Sequence, residues 1–143
     1  MRRVLVPIDG SECSLRAIGY LADNLADGSI PADVEVHLVN VQAPLSGNVV
    51  QFINHDDIAR YHRDESAKAL EGARARLNAA GVKHAAHAHV GRSADVIARL
   101  ADSLRCDHIV MGTHGRGALG ELLIGSTTLK VLHSARCPVV LVK

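Results

Sequence analysis

Aromatic side chains are nearly absent from this chain: there is no Trp, and only two Tyr and one Phe occur in 143 residues. That leaves no platform on which unpaired bases could stack, the usual basis of single-strand recognition. An excess of one charge is missing too. Sixteen Lys and Arg stand against fifteen Asp and Glu, a formal net charge of +1, so no uniform field exists to track a phosphate backbone. Nucleic acid is therefore not an expected partner. Cysteine is sparse, with Cys13, Cys106 and Cys137 far apart and no CxxC pair; an odd, scattered set suits reduced thiols better than a disulfide framework or a zinc site. Long apolar runs are lacking as well. Val4 to Ile8 and Pro138 to Val142 fall far short of the 18 or so residues of a membrane span. Met1-Arg2-Arg3 precedes an apolar run that meets Asp9 before a signal-peptide core of about 7–15 residues is complete. The expectation is a cytoplasmic protein with no membrane segment.

What is present is alternation. Arg3 to Ile8 is a near-continuous apolar run that breaks at Asp9-Gly10-Ser11, as a buried parallel strand does where it enters a turn. From Ser14 to Leu25, apolar residues recur at helical spacing with Ser11 or Ser14 as cap. Val34 to Val41 is rich in β-branched residues and reads as a second strand. A loop from Gln42 to Asn54 follows, then a long helix from His55 to Ala80 that ends at Gly81. Val82 to Val90 reads as a third strand, Ala94 to Leu104 as a helix, and His108 to Met111 as a fourth strand. A Gly-rich loop, a helix from Ser126 to Ser134 and a strand from Pro138 to Val142 complete the chain. Length and pattern predict one domain over residues 1–143. The predicted fold is α/β, Rossmann-like: a single five-stranded parallel sheet of order 3-2-1-4-5 with helices on both faces. Ligands of such sheets bind at the carboxyl ends of the strands where the order reverses. That rule brings Asp9-Gly10-Ser11 opposite the loop after the fourth strand.

This loop carries most of the chemistry. Glycines admit a ligand close to the backbone, and Gly125-Ser126-Thr127-Thr128 opens a helix whose free N–H groups and positive dipole end attract phosphate. A well-capped surface helix is the plainer reading of the same residues. Gly115 to Gly120 matches GxGxxG, but no acidic residue follows Glu121 to hold a dinucleotide ribose. The phosphate loop GxxxxGK[ST] is missing, which excludes a P-loop NTPase at the level of motif.

Gly112, Gly115, Gly125 and Ser126 reproduce, with its spacing intact, the nucleotide motif of the universal stress proteins: Gly, two residues, Gly, nine residues, Gly, then Ser or Thr. The chain resembles that family, in its ATP-binding type, from Val4-Leu5-Val6-Pro7-Ile8-Asp9-Gly10-Ser11 to the closing Arg136 to Val142. The resemblance implies ATP with Mg²⁺ or Mn²⁺ as cofactors, Asp9 beside the ribose and the metal-bound phosphates, and the backbone of Val39 on the adenine edge. It places Met111, Gly112, His114 and Gly115 along the ribose and phosphate path. Gly125, Ser126, Thr127 and Thr128 would then hold the triphosphate through N–H groups and hydroxyls. It also implies a homodimer through Val139, Val140, Leu141 and Val142, and a stress-response regulator acting on a protein partner that the sequence does not name. Two positions depart from the family pattern: Ser93 stands where Pro is common, and Leu129 where an acidic residue is frequent.

Two other functions stay open. A slow ATPase or phosphotransferase would need an activated nucleophile or base; Ser126 and Thr128 are the nearby hydroxyls, no catalytic residue is assigned, and GxSxG, HxGH and SGGxDS motifs are absent. A nucleotide-free dimeric interaction module is the other. His84, His87 and His89 form HxxHxH, but only His87 and His89 share a strand face, so a metal there would need ligands from elsewhere. The length and position of the 42–54 loop suggest that it closes over a bound nucleotide.

Overall fold

The computed structural model describes residues 1–114 and 123–143. Its strands are β1 (Arg3–Pro7), β2 (Glu35–Gln42), β3 (His84–Val90), β4 (His108–Gly112) and β5 (Val139–Val142). Its helices are α1 (Glu12–Ala26), α2 (Gly47–Val50), α3 (His55–Ala79), α4 (Ser93–Ser103) and α5 (Ser126–Ser134). All neighbouring strands run parallel in the order β3-β2-β1-β4-β5, as the alternation predicts.

Side-chain alternation along β1 divides the core in two. Val4, Val6 and Ile8 face α1 and α3 together with Ile18, Leu21, Leu70 and Leu77. Leu5 points the other way, toward Ile97, Ala101, Ile109 and Val131. Continuous apolar strands such as Val4-Leu5-Val6, all fully buried, are what a sheet covered on both faces requires.

Boundaries move by a few residues for local reasons. α1 starts at Glu12 because Ser11 is the cap: its hydroxyl accepts from the Ser14 N–H at 3.2 Å. β3 starts at His84 rather than Val82, since the Val82 N–H bonds back to the Leu77 carbonyl at 2.9 Å after Gly81 turns the chain at φ +69°, a conformation that suits glycine. The stretch predicted as a loop holds one helical turn, α2, and Phe52 beyond it is 87% exposed.

Pro7 closes β1. Odd-numbered residues of β1 face β4, as the Arg3 carbonyl does in accepting from Asp107 N–H, so the N–H that Pro7 lacks would have faced β4, and the β1–β4 register covers only Val4 and Leu5. The crevice expected at the reversal of strand order lies beyond it.

Candidate functional site

The crevice is a cleft of about 680 Å³ at the carboxyl ends of the strands. Pro7, Ile8, Asp9 and Ser14 form one side, Val39 to Ala43 another, and Met111, Gly112, His114 and Gly125 to Thr128 a third, with Ser93 and Ile97 beneath. Asp9, Val39, Met111, Gly112, His114, Gly125, Ser126, Thr127 and Thr128 therefore converge on one cavity. Gly115 and the GxGxxG segment lie outside the described residues.

The N-terminus of α5 supplies donors. Gly125 is its N-cap, with no side-chain cap bond, and its carbonyl accepts from Leu129 N–H at 3.0 Å. Among the described residues the N–H groups of Ser126, Thr127 and Thr128 have no protein acceptor, the usual state of a first helical turn awaiting an anion or water. Two expected donors are committed elsewhere. The Gly125 N–H donates to the Thr113 carbonyl at 2.8 Å, and the hydroxyl of Thr128, a buried residue, donates to the Gly112 carbonyl at 3.3 Å. That hydroxyl ties α5 to the end of β4 here, while the Thr128 N–H remains open.

Gly112 is set by packing. A Cβ there would lie 2.6 Å from both the carbonyl oxygen and the sulfur of Cys13, too close for any side chain. α1 crosses the end of β4 at this point, and the first glycine of the motif permits it. Thr113 Oγ1 lies 3.0 Å from His114 Nδ1, which orients that ring at the cleft wall.

The Val39 backbone is engaged within the sheet. Odd-numbered residues of β2 direct their main-chain groups toward β1: the Glu35 N–H donates to the Arg2 carbonyl, and the Val39 carbonyl accepts from the Ile8 N–H, both at 2.8 Å. Even-numbered ones face β3, as the Gln42 carbonyl does in accepting from Gly91 N–H at 2.9 Å. β1 ends at Pro7, opposite Val39. Val39 is thus held by the sheet, whereas the next odd residue, Val41, aims its N–H and C=O where β1 has left. Among the described residues neither has a partner on that side. Val41 lines the cleft and presents an adjacent donor and acceptor.

A buried network holds this edge. Asn40, 2% exposed, donates through Nδ2 to the Ile8 carbonyl at 2.7 Å and accepts at Oδ1 from Ser66 Oγ and Gln42 Nε2, both at 2.9 Å. The Asn side chain thus takes the carbonyl that a longer β1 would have offered to Val41. One signal for it was available in the sequence: a lone Asn within a β-branched run, where it must find partners if buried.

Asp9 sits in the turn after β1. Its Oδ1 accepts from the Ser11 N–H at 2.9 Å and from Ser11 Oγ at 2.5 Å, an Asx turn that fixes the carboxylate at the cleft mouth. No group of three or more His, Cys, Asp or Glu side chains among the described residues could hold a metal.

Compared with models of known families, residues 1–143 match the Universal stress protein family. The chain belongs to that family. This universal stress protein is 30% identical over 142 residues to universal stress protein MJ0531 of Methanocaldococcus jannaschii, covering 99% of this chain and 82% of the relative. Among solved structures it resembles that of MJ0577, a universal stress protein of the same organism, with a TM-score of 0.81 at 28% identity, over 99% of this chain and 95% of the other. A universal stress protein crystallised in complex with cAMP matches with a TM-score of 0.70 at 25% identity, over 99% of this chain and 97% of the other. The sheet order and paired faces are thus those of the family fold.

A second cleft, of about 790 Å³, lies at the amino ends of β2 and β3. Alanines 22, 26, 32, 80 and 85 make up much of its wall, with Asp33, Glu35, His37, Lys83 and His84 at its rim. None of the residues predicted for the nucleotide site is in it. No helix of the described residues is long and apolar enough to cross a membrane.

Proposed function

We propose that this universal stress protein binds ATP together with Mg²⁺ or Mn²⁺ in the carboxyl-end cleft, and acts in the cytoplasm as a stress-response regulator whose partner contacts depend on nucleotide. The observation that carries the reading is the pairing of two unsatisfied backbone sets across one cavity. At one wall the Ser126, Thr127 and Thr128 N–H groups suit phosphate oxygens. At the other the Val41 N–H suits adenine N1 and its C=O the 6-amino group, a donor–acceptor pair that guanine would meet with the wrong polarity. The cAMP complex of a protein 25% identical to this one supports an adenine nucleotide in this fold.

Asp9 would hold the cation, which supplies positive charge between the carboxylate and the phosphates. Without it the two anions repel in a cleft of reduced dielectric. Met111 and Ile97 give the ribose and base an apolar floor, while His114 borders the phosphate path. β5 is an edge strand, and Val139 to Val142 carry no charge or proline to block a further strand; pairing with a second copy there gives the homodimer. The 42–54 segment, with α2 in it, would close over the bound nucleotide and make occupancy readable to a partner.

Calorimetry tests the reading. Nucleotide-stripped protein should bind ATP with Mg²⁺ at micromolar concentration, and more weakly without the metal. Ser126→Pro removes one N–H from the phosphate cradle while suiting the first helical position, since Gly125 precedes it in an extended conformation (φ −65°, ψ 154°) that proline tolerates. Weaker binding with an unchanged melting temperature is expected. No binding at millimolar ATP, or equal affinity in Ser126→Pro, would overturn the site. Hydrogen exchange over 42–54 should slow on saturation, and sedimentation at micromolar concentration should show a dimer.

A further inference from the structure

The HxxHxH run gains from folding a ligand that its own strand could not supply. In the β2–β3 register His37 lies opposite Ala85, one step diagonal from His87, and their rings meet: His37 Nδ1 is 3.0 Å from His87 Nε2, with ring centroids 5.3 Å apart. We propose that His37 and His87 form a chelating pair for one late-transition divalent ion, Cu²⁺ or Ni²⁺, at the open end of the α4 side of the sheet.

Three observations carry it. The first is the bite. Two metal–nitrogen bonds of about 2.0–2.1 Å spanning 3.0 Å enclose an angle of about 94°, near the right angle of a tetragonal centre; a tetrahedral site would need about 3.3–3.4 Å. The second is the outer shell. His37 Nε2 lies 3.8 Å from Glu35 Oε2, and that carboxylate is itself held by Arg3 Nε at 2.5 Å. A carboxylate behind the second nitrogen is the usual way a ligating imidazole is kept in the right tautomer. The third is access. His37 is one of the residues lining the amino-end cleft, and its side chain keeps 15% exposure.

Proton bookkeeping favours the pair. Burial, the largest cause for both rings, holds His37 and His87 below the ordinary histidine range, so both are neutral at pH 7. In the free protein one ring donates an N–H···N hydrogen bond across the 3.0 Å contact; on binding, that proton moves to the same ring's outer nitrogen, so that His37 Nδ1 and His87 Nε2 each give a lone pair to the ion. Binding thus needs one tautomer shift and releases no proton. His84 is not part of the pair, because its Nδ1 bonds the Val82 carbonyl at 3.0 Å and its even position in β3 puts it on the other face. Among the described residues no third His, Cys, Asp or Glu completes the set, so water fills the remaining positions.

The test is a Cu²⁺ titration of the full chain after chelator treatment, read by competition for affinity and by electron paramagnetic resonance for nitrogen ligands. One ion per chain should bind at micromolar concentration with two equatorial nitrogens. Affinity should fall about tenfold or more in His37→Gln and in His87→Gln, and by less than about threefold in His89→Gln. Should His37→Gln not fold, His87→Gln, on an edge strand, carries the test with its melting temperature as control. Absence of binding at about 100 µM Cu²⁺, unchanged affinity in His87→Gln, or an equal loss in His89→Gln would overturn the pair.

Discussion

The two clefts differ in a way that volume does not capture. The amino-end cleft has about 790 Å³ against about 680 Å³, yet five of its fifteen lining residues are alanine and the helices reaching it arrive with their carbonyl ends. The carboxyl-end cleft receives the N-termini of α1, α4 and α5, marked by Ser14, Ser93 and Ser126 at its lining. In a parallel sheet every strand hands its chain to a helix at the same end, so the fold is electrically polar before any side chain is chosen. Anions are favoured at one end and cations at the other.

The comparison can be broken most forcefully at Gly112. Gly112→Ala puts a methyl 2.6 Å from Cys13 O and Sγ, and should destabilise the fold by about 3 kcal/mol in urea unfolding. Adding Cys13→Ala should restore only part of this, because the backbone oxygen stays. Asn40→Ala should cost about 2 kcal/mol by leaving the Ile8 carbonyl and Ser66 hydroxyl without their buried partner. It should also weaken ATP binding, since the Val41 edge depends on that network. Ser126→Pro should weaken ATP about tenfold, roughly 1.4 kcal/mol, with stability unchanged. Ala32→Leu, which fills the amino-end cleft, should leave ATP affinity within about twofold; a larger loss in calorimetry would mean that the two ends are not independent.

The smallest effect concerns pH. His37 and His87 both lie below the ordinary value of 6.5 in the folded protein, each chiefly through burial, with Arg3 adding to the first and His37 and His89 to the second, and with Glu35 opposing at His37. Their neutral forms favour folding. Their contribution to stability is thus present above about pH 6.5 and is lost as pH falls through the lower folded values. Thermal melts should decline over that acid range, and His87→Gln should flatten the decline.

Much of this was legible in the sequence because hydrophobic period and turn chemistry are local. Val4-Leu5-Val6 announces a doubly buried strand, Ser11 a cap, and Gly125-Ser126 a helix start. Register and hydrogen-bond parity are not local. That β1 stops opposite Val39 and leaves the Val41 main chain open depends on the pairing of strands far apart in sequence. That the Thr128 hydroxyl turns to the Gly112 carbonyl is not legible either, because spacing does not tell which way the first turn of α5 faces. His37 and His87 are fifty positions apart, and only the β2–β3 pairing brings their rings together.

The order β3-β2-β1-β4-β5 puts the strand that comes first in this domain's chain order in the middle of the sheet. β1 gains one neighbour once the chain has passed Gln42, but its other edge stays unpaired until His108 to Gly112 have been made. Until β4 is made, then, this domain carries an apolar strand with one bare side, the kind of edge that recruits wrong partners. Both walls of the carboxyl-end cleft come together only when that edge is covered. A ligand gripping Val41 and the start of α5 at once, as proposed for ATP, would therefore bind the assembled sheet and not its fragments, and would stabilise it by mass action.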